Sequence, residues 1–228
     1  MTDWRPLLLS LQTTTLAAVF IFVVGLTLAY ILARWRLPFP LLFETLISLP
    51  LILPPTVVGY YLLTALGRGS IFYETFGLRV IFTWPAAAIA GAVAGLPMMI
   101  QSARAAIAEV EREIEDAARV DGASELRVLF TVTFPIARRG IVAGFILGTA
   151  RALGDFGTTL MVAGNIPGRT QTMPLAIYDA VQTLRYDDAN IMVLVMTSLA
   201  FSLLWITYRF TRLNRANPSS SSSRRNAS

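Results

Sequence analysis

The chain has 228 residues, of which 55% are apolar and 14% are charged, against about 25% charged in an ordinary soluble domain. All 19 basic residues are Arg, and Cys, His and Lys do not occur. That inventory excludes disulfides, thiolate or imidazole metal sites and His-based triads. Without Lys there is no phosphate-binding loop of the usual kind and no Schiff-base chemistry. No cofactor and no metal are expected, and the charge deficit points to a membrane protein.

A helix crosses the hydrocarbon core with about 20 mostly apolar residues. In chain order, Leu7–Ala33 is an uncharged run closed by Arg34 and Arg36. Leu41–Leu66 is a second run, with Glu44 near its start and Pro50, Pro54 and Pro55 in its middle. Val80–Ala103 is a third, carrying Pro97. Gly140–Ala163 is a fourth, interrupted by Arg151 and Asp155, and Ile191–Tyr208 is a fifth. The predicted fold class is an all-α polytopic membrane protein of about five transmembrane helices.

Five crossings place the termini on opposite sides. With the N-terminus outside, the inner stretches hold 13 Arg and the outer ones 5, so the positive-inside rule predicts an N-out/C-in topology. The net charge of +5 is then topological, and no nucleic-acid partner is expected. Residues 217–228, rich in Ser, are expected to be a disordered cytoplasmic tail that leaves no room for a further C-terminal domain.

Three features inside the spans stand out. Gly140, Gly144 and Gly148 share one face of the fourth helix, and Gly91 and Gly95 share one of the third, a spacing that lets helices approach closely. The reading that asks least is packing within the chain. The cluster around Pro50, Pro54 and Pro55 predicts a broken or kinked segment, and irregular backbone at membrane depth must face protein or a watery cavity. Arg151 and Asp155 lie four apart, on one helix face, where they pair with each other or touch a substrate. Leu153–Thr159 reads as a flexible, polar part of a translocation path.

The loop from 104 to 139 is the most informative stretch, and seven of the 14 acidic residues lie between Glu109 and Glu125. Val110, Ile114, Ala117 and Ala118 recur at helical spacing. Glu115 precedes Arg119 by four, the favourable order. Asp121-Gly122 reads as a stop, Ser124 as the cap of a second short helix carrying Leu126, Leu129 and Phe130, and Pro135 as the first turn of the next crossing. Interfacial helices favour basic polar faces. This face is acidic and suits a protein groove, with Ala117, Ala118 and Ala123 allowing close approach.

Glu115-Asp116-Ala117-Ala118, then Gly122, then Phe134-Pro135, resembles the EAA motif of ABC-importer permeases, which more often has Leu where Phe134 stands. The resemblance extends over nearly the whole chain, residues 1–216. It implies that the loop holds a cytoplasmic coupling helix, with Glu115, Asp116, Ala117, Ala118, Gly122 and Ala123 docking on a separate nucleotide-binding ATPase subunit. It further implies an extracytoplasmic substrate-binding protein and a homodimer of permease chains in the cytoplasmic membrane, rocking between inward and outward access.

Within that family the molybdate branch is the most similar. The segments that carry this are Leu49–Tyr60, Arg151–Thr159 and Asn165–Thr172, with Asp155 where the branch usually has Glu. Sulfate and tungstate permeases share parts of these patterns. A tetrahedral dianion needs compensating donors on its way through a membrane. Pro54, Pro55, Arg151, Asp155, Thr158, Thr159 and Asn165 are the candidates for the path or its gate, with Arg169, Thr170 and Thr172 near the outer end. A passive channel subunit would leave the EAA element unexplained, and an intramembrane enzyme built on Arg151, Asp155 and Glu44 would have a poor acid–base inventory.

Overall fold

The structure is a computed structural model that describes residues 4–35, 38–77 and 79–213. All the elements of the described residues are helical. Helix α1 (Arg5–Arg34) starts with Pro6 in its first turn, where the missing N–H costs nothing, and runs uncharged to Arg34. Helices α2 (Pro40–Ile52) and α3 (Pro55–Leu66) are separated by Leu53 and Pro54 and meet at 113°. A short α4 (Ile71–Phe76) follows, capped by the Ser70 side chain. Then comes α5 (Trp84–Ala108), with Pro85 in its first turn and Pro97 inside it.

Beyond α5 lie α6 (Arg112–Val120) and α7 (Glu125–Val128), which runs through a π segment (Leu129–Thr133) into α8 (Phe134–Leu153). The chain ends with α9 (Gly157–Ala163), α10 (Met173–Gln182) and α11 (Tyr186–Leu213). Four helical stretches are long and apolar enough to cross a membrane, and the bent α2–α3 pair, counted as one broken span, gives a fifth. The expected count of about five is borne out.

The centre is α5, clasped by α1 on one side and α8 on the other. Gly25 of α1 packs on Met99, and Ile21 on Gly95, so α1 and α5 run parallel. Helix α8 runs the other way: Gly140 meets Ala106, Gly144 meets Met99 and Ser102, Gly148 meets Gly95, and Ala152 meets Gly91. The two glycine faces therefore pack on each other within one chain. Close backbone approach lets Ser102 donate a 2.8 Å hydrogen bond to the Gly140 carbonyl. Ile21, Met99, Ala103, Ile107, Ala137 and Ile141 fill the core between the three helices.

Several expectations are corrected. The fourth span does not continue to Ala163: α8 stops at Leu153, Gly154 follows as its cap, and α9 is a separate short helix. Asp155 thus lies beyond the end of α8 and not on a shared helix face with Arg151. The physical cause is local, because the Asp155 carboxylate accepts the Thr159 backbone N–H at 2.9 Å and so starts a new helix. Arg104 sits on α5, and Arg138 and Arg139 on α8. Helices α4 and α10 were not anticipated.

The break between α2 and α3 is where the prolines predicted it, but Pro54 and Pro55 are exposed at the edge of this chain's own bundle. Pro55 borders the start of α9, with its Cβ 2.9 Å from where a methyl on Gly157 would stand. Glu44, on the otherwise uncharged α2, pairs with Arg104 of α5 at 2.6 Å, and the Gln101 amide donates to Ser48 at 3.0 Å. Arg36 and the tail 217–228 lie outside the described residues.

Candidate coupling element and the polar end of the bundle

The element between α5 and α8 is two short helices joined by a glycine turn. Glu113 and Glu115 occupy the first turn of α6 and Arg119 its last, the arrangement that the helix dipole favours. Gly122 has φ +85°, and the turn is closed by hydrogen bonds from Gly122 N–H to the Arg119 carbonyl and from Ala123 N–H to the Ala118 carbonyl, both 3.0 Å. Ser124 caps α7, accepting the Arg127 N–H at 3.4 Å. Pro135 stands in the first turn of α8. The stop at Gly122, the Ser124 cap and the place of Pro135 are as the sequence predicted, while Val110 falls in the bend before α6, and Leu129 and Phe130 fall in the π segment and not on α7.

Arg119 staples the two helices together. Its Nε and Nη2 donate to both Glu125 oxygens at 2.8 and 3.1 Å, and Nη1 donates to Asp116 at 2.6 Å. The Glu125 hydrogen bonds above all, then Asp116, raise the Arg119 pKa beyond its ordinary value. The outward face of the element presents Val120 (87% exposed), Leu126 (68%) and Phe130 (64%). Asp116 and Ala117 are exposed beside them, and Ala118 and Ala123 are half-buried.

Glu115 does not share that face. It is 3% exposed and points into the bundle, where Arg34 Nη2 donates to Oε1 at 2.7 Å and Thr133 Oγ1 donates to the same oxygen at 2.6 Å. Arg119, the partner that sequence spacing suggested, stands 3.9 Å away. Arg34 and Thr133 were missed because they lie 81 and 18 residues from Glu115. The only signal was an Arg closing an uncharged run, which reads first as a membrane-interface residue.

At the opposite end of the bundle, Asp155 is 2% exposed and accepts from four donors. Arg151 Nη1 and Thr158 Oγ1 reach Oδ1 at 3.3 Å each, and the Thr159 N–H and hydroxyl reach Oδ2 at 2.9 Å each. Arg151, Asp155, Thr158 and Thr159 are thus brought together, and all but Arg151 are buried within the chain. A polar pocket of about 10 Å³ adjoins them, lined by Ser10, Thr13, Asp155, Thr159 and Thr172.

Among the described residues, Thr172 Oγ1 and Asn165 Oδ1 are buried without a partner. Thr170 accepts the Ile166 N–H at 3.1 Å. Arg169 lines a separate open depression of about 690 Å³ together with Arg79, Gln12 and Thr170.

Four long apolar helices, a bent helix pair that fits a broken fifth span, and a turn-linked helix pair at one end are the architecture of a multi-pass membrane protein. Residues 23–216 match the family described as the binding-protein-dependent transport system inner membrane component, and the chain belongs to that family. It is 38% identical over 218 residues, 93% of this chain and 95% of the other, to the molybdenum transport system permease protein ModB of Escherichia coli (strain K12). It is 31% identical over 210 residues, 89% of this chain and 76% of the other, to the sulfate transport system permease protein CysT of Salmonella typhimurium. Among solved structures, a bacterial alginate ABC transporter in complex with a periplasmic protein carrying an alginate pentasaccharide superposes with a TM-score of 0.72 at 16% identity, covering 95% of this chain and 80% of the other.

Proposed function

We propose that this chain is the permease subunit of an ATP-driven importer that carries molybdate into the cell by alternating access. The observation that carries the substrate is the 38% identity, over nearly the full length of both chains, to a molybdenum transport permease, against 31% to a sulfate one. In this reading ATP hydrolysis belongs to a separate nucleotide-binding subunit, in keeping with a chain that has no Lys. An extracytoplasmic binding protein delivers the anion, two copies of the chain form the pore, and residues 1–216 are the permease domain. The N-terminus faces out and the C-terminus faces in, which puts the α6–α7 element in the cytoplasm.

Docking falls to the exposed side of that element: Asp116, Ala117, Val120, Leu126 and Phe130, with Gly122, Ala118 and Ala123 shaping it. The path runs past the other end. There the half-buried Arg151 and Asn165 and the exposed Pro54 and Pro55 border it. Asp155, itself held by Thr158 and Thr159, holds Arg151 in place.

The test is ATP hydrolysis in proteoliposomes holding this chain, its ATPase and its binding protein. Molybdate-loaded binding protein is expected to raise turnover, and Glu115→Arg is expected to abolish the rise. A response to sulfate-loaded protein alone would replace the substrate. Anion flux through this chain without nucleotide would replace the importer with a channel.

A further inference from the structure

Glu115 points into the bundle, where it touches the end of α1 and the segment that leads into α8. Arg34 is the last residue of α1. Its Nη2 donates both to Glu115 Oε1 at 2.7 Å and to the carbonyl of Val110, just past the end of α5, at 3.1 Å. Thr133 closes the π segment that leads into α8, and its hydroxyl reaches the same Glu115 oxygen at 2.6 Å. The side chains of Arg34 and Glu115 are 10% and 4% exposed, and Thr133 is 1% exposed.

Among the described residues Arg34 Nε is buried with no partner, and Glu115 is the carboxylate that compensates the guanidinium. A charge pair this deep resists separation, because parting it leaves two desolvated charges. Two short side-chain hydrogen bonds on one oxygen leave the carboxylate little freedom to swing. The π segment is an irregularity of the kind that accumulates at functional sites.

We propose that Glu115 is a positioning residue acting inside its own chain: with Arg34 and Thr133 it clamps α6 to the ends of α1 and α5 and the start of α8. A push on α6 then moves these spans as one body instead of bending the loop. The proposal rests on the importer reading above for its functional consequence. Its structural half stands apart from that reading.

The test uses the full chain in lipid nanodiscs or proteoliposomes with its ATPase and binding protein, comparing Arg34→Gln, Glu115→Gln and the double variant. Each single change is expected to lower anions imported per ATP hydrolysed by roughly tenfold, within the range that single residues contribute to inter-site coupling. The double is expected to be no worse than either single, while the ATPase still co-purifies. Thr133→Val is expected to shift the ratio the same way by less, and Arg34→Lys to restore part of it. These two milder variants serve if Arg34→Gln does not fold.

Amide exchange across Arg112–Val120 in the chain alone is expected to quicken in both single variants. Wild-type coupling in Arg34→Gln beside a loss in Glu115→Gln would overturn the clamp and return Glu115 to the partner interface. Losses that add in the double, or unchanged exchange in α6, would overturn it as well. A wild-type complex without ATP-driven uptake would overturn the importer reading, and the exchange result would still decide whether the clamp exists.

Discussion

Gly95 and Gly148 face each other so closely that a methyl group added to Gly95 would stand 2.3 Å from the Gly148 carbonyl oxygen. The obstacle is backbone, which cannot rotate aside, and Ile21 of α1 closes the same space. Gly95→Ala is therefore expected to destabilise the chain by about 2 kcal/mol, within the usual cost of overpacking. A thermal or denaturant unfolding series in detergent checks this. Gly154→Ala is the comparison, because there the nearest atom to the new methyl is a carbonyl 3.7 Å away.

The partners of Asp155 predict an asymmetry. Removing Arg151 leaves the carboxylate with the two threonine hydroxyls and the Thr159 N–H. Removing Asp155 takes the acceptor from the Thr159 N–H in the first turn of α9 and leaves four donors without it. Asp155→Ala is expected to cost about 3 kcal/mol and Arg151→Ala about 1 kcal/mol, the latter discounted because its side chain is 29% exposed. Arg151→Ala should then yield folded protein in which uptake is lost. Full uptake in that variant would remove Arg151 from the path.

The coupling turn makes a narrower prediction. A methyl on Gly122 would meet nothing within 4 Å, so the cost of Gly122→Ala is that of its φ of +85° alone. That is about 1 kcal/mol. It should appear as fraying of α7, read by amide exchange at Arg127, whose N–H donates to the Ser124 cap.

The outward face should behave differently from the inward one. Val120→Asp changes a side chain that is 87% exposed. The melting temperature is expected to stay the same, while affinity for the nucleotide-binding subunit falls at least roughly tenfold, as for an interface anchor. A pull-down with purified ATPase measures this. Retained affinity would move the docking surface elsewhere on the element.

Much of this architecture was legible before any coordinates. Uncharged runs of spanning length, closed by Arg, mark the spans, since the bilayer leaves a chain few other options. The proline cluster marks the break in the second span, because proline removes a donor wherever it stands. The helix–Gly–helix element could be read down to its Ser124 cap, because caps and turns are decided by residues a few positions apart. The glycine faces of the third and fourth spans were legible as surfaces of close approach, and the chain itself supplies both sides.

What tertiary structure alone decided are the pairings between residues distant in sequence. Glu115 reads from its neighbours as one more charge on an acidic helix, four before Arg119. In the fold it turns inward to Arg34 and Thr133, because a buried guanidinium at the end of α1 needs a carboxylate and only the orientation of α6 brings one there. Arg151 and Asp155 pair as their spacing suggested. Yet the helix ends between them, because Asp155 spends its second oxygen on a new helix instead of extending the old one. Local physics sets where helices start, stop and face, and packing sets which charges they share.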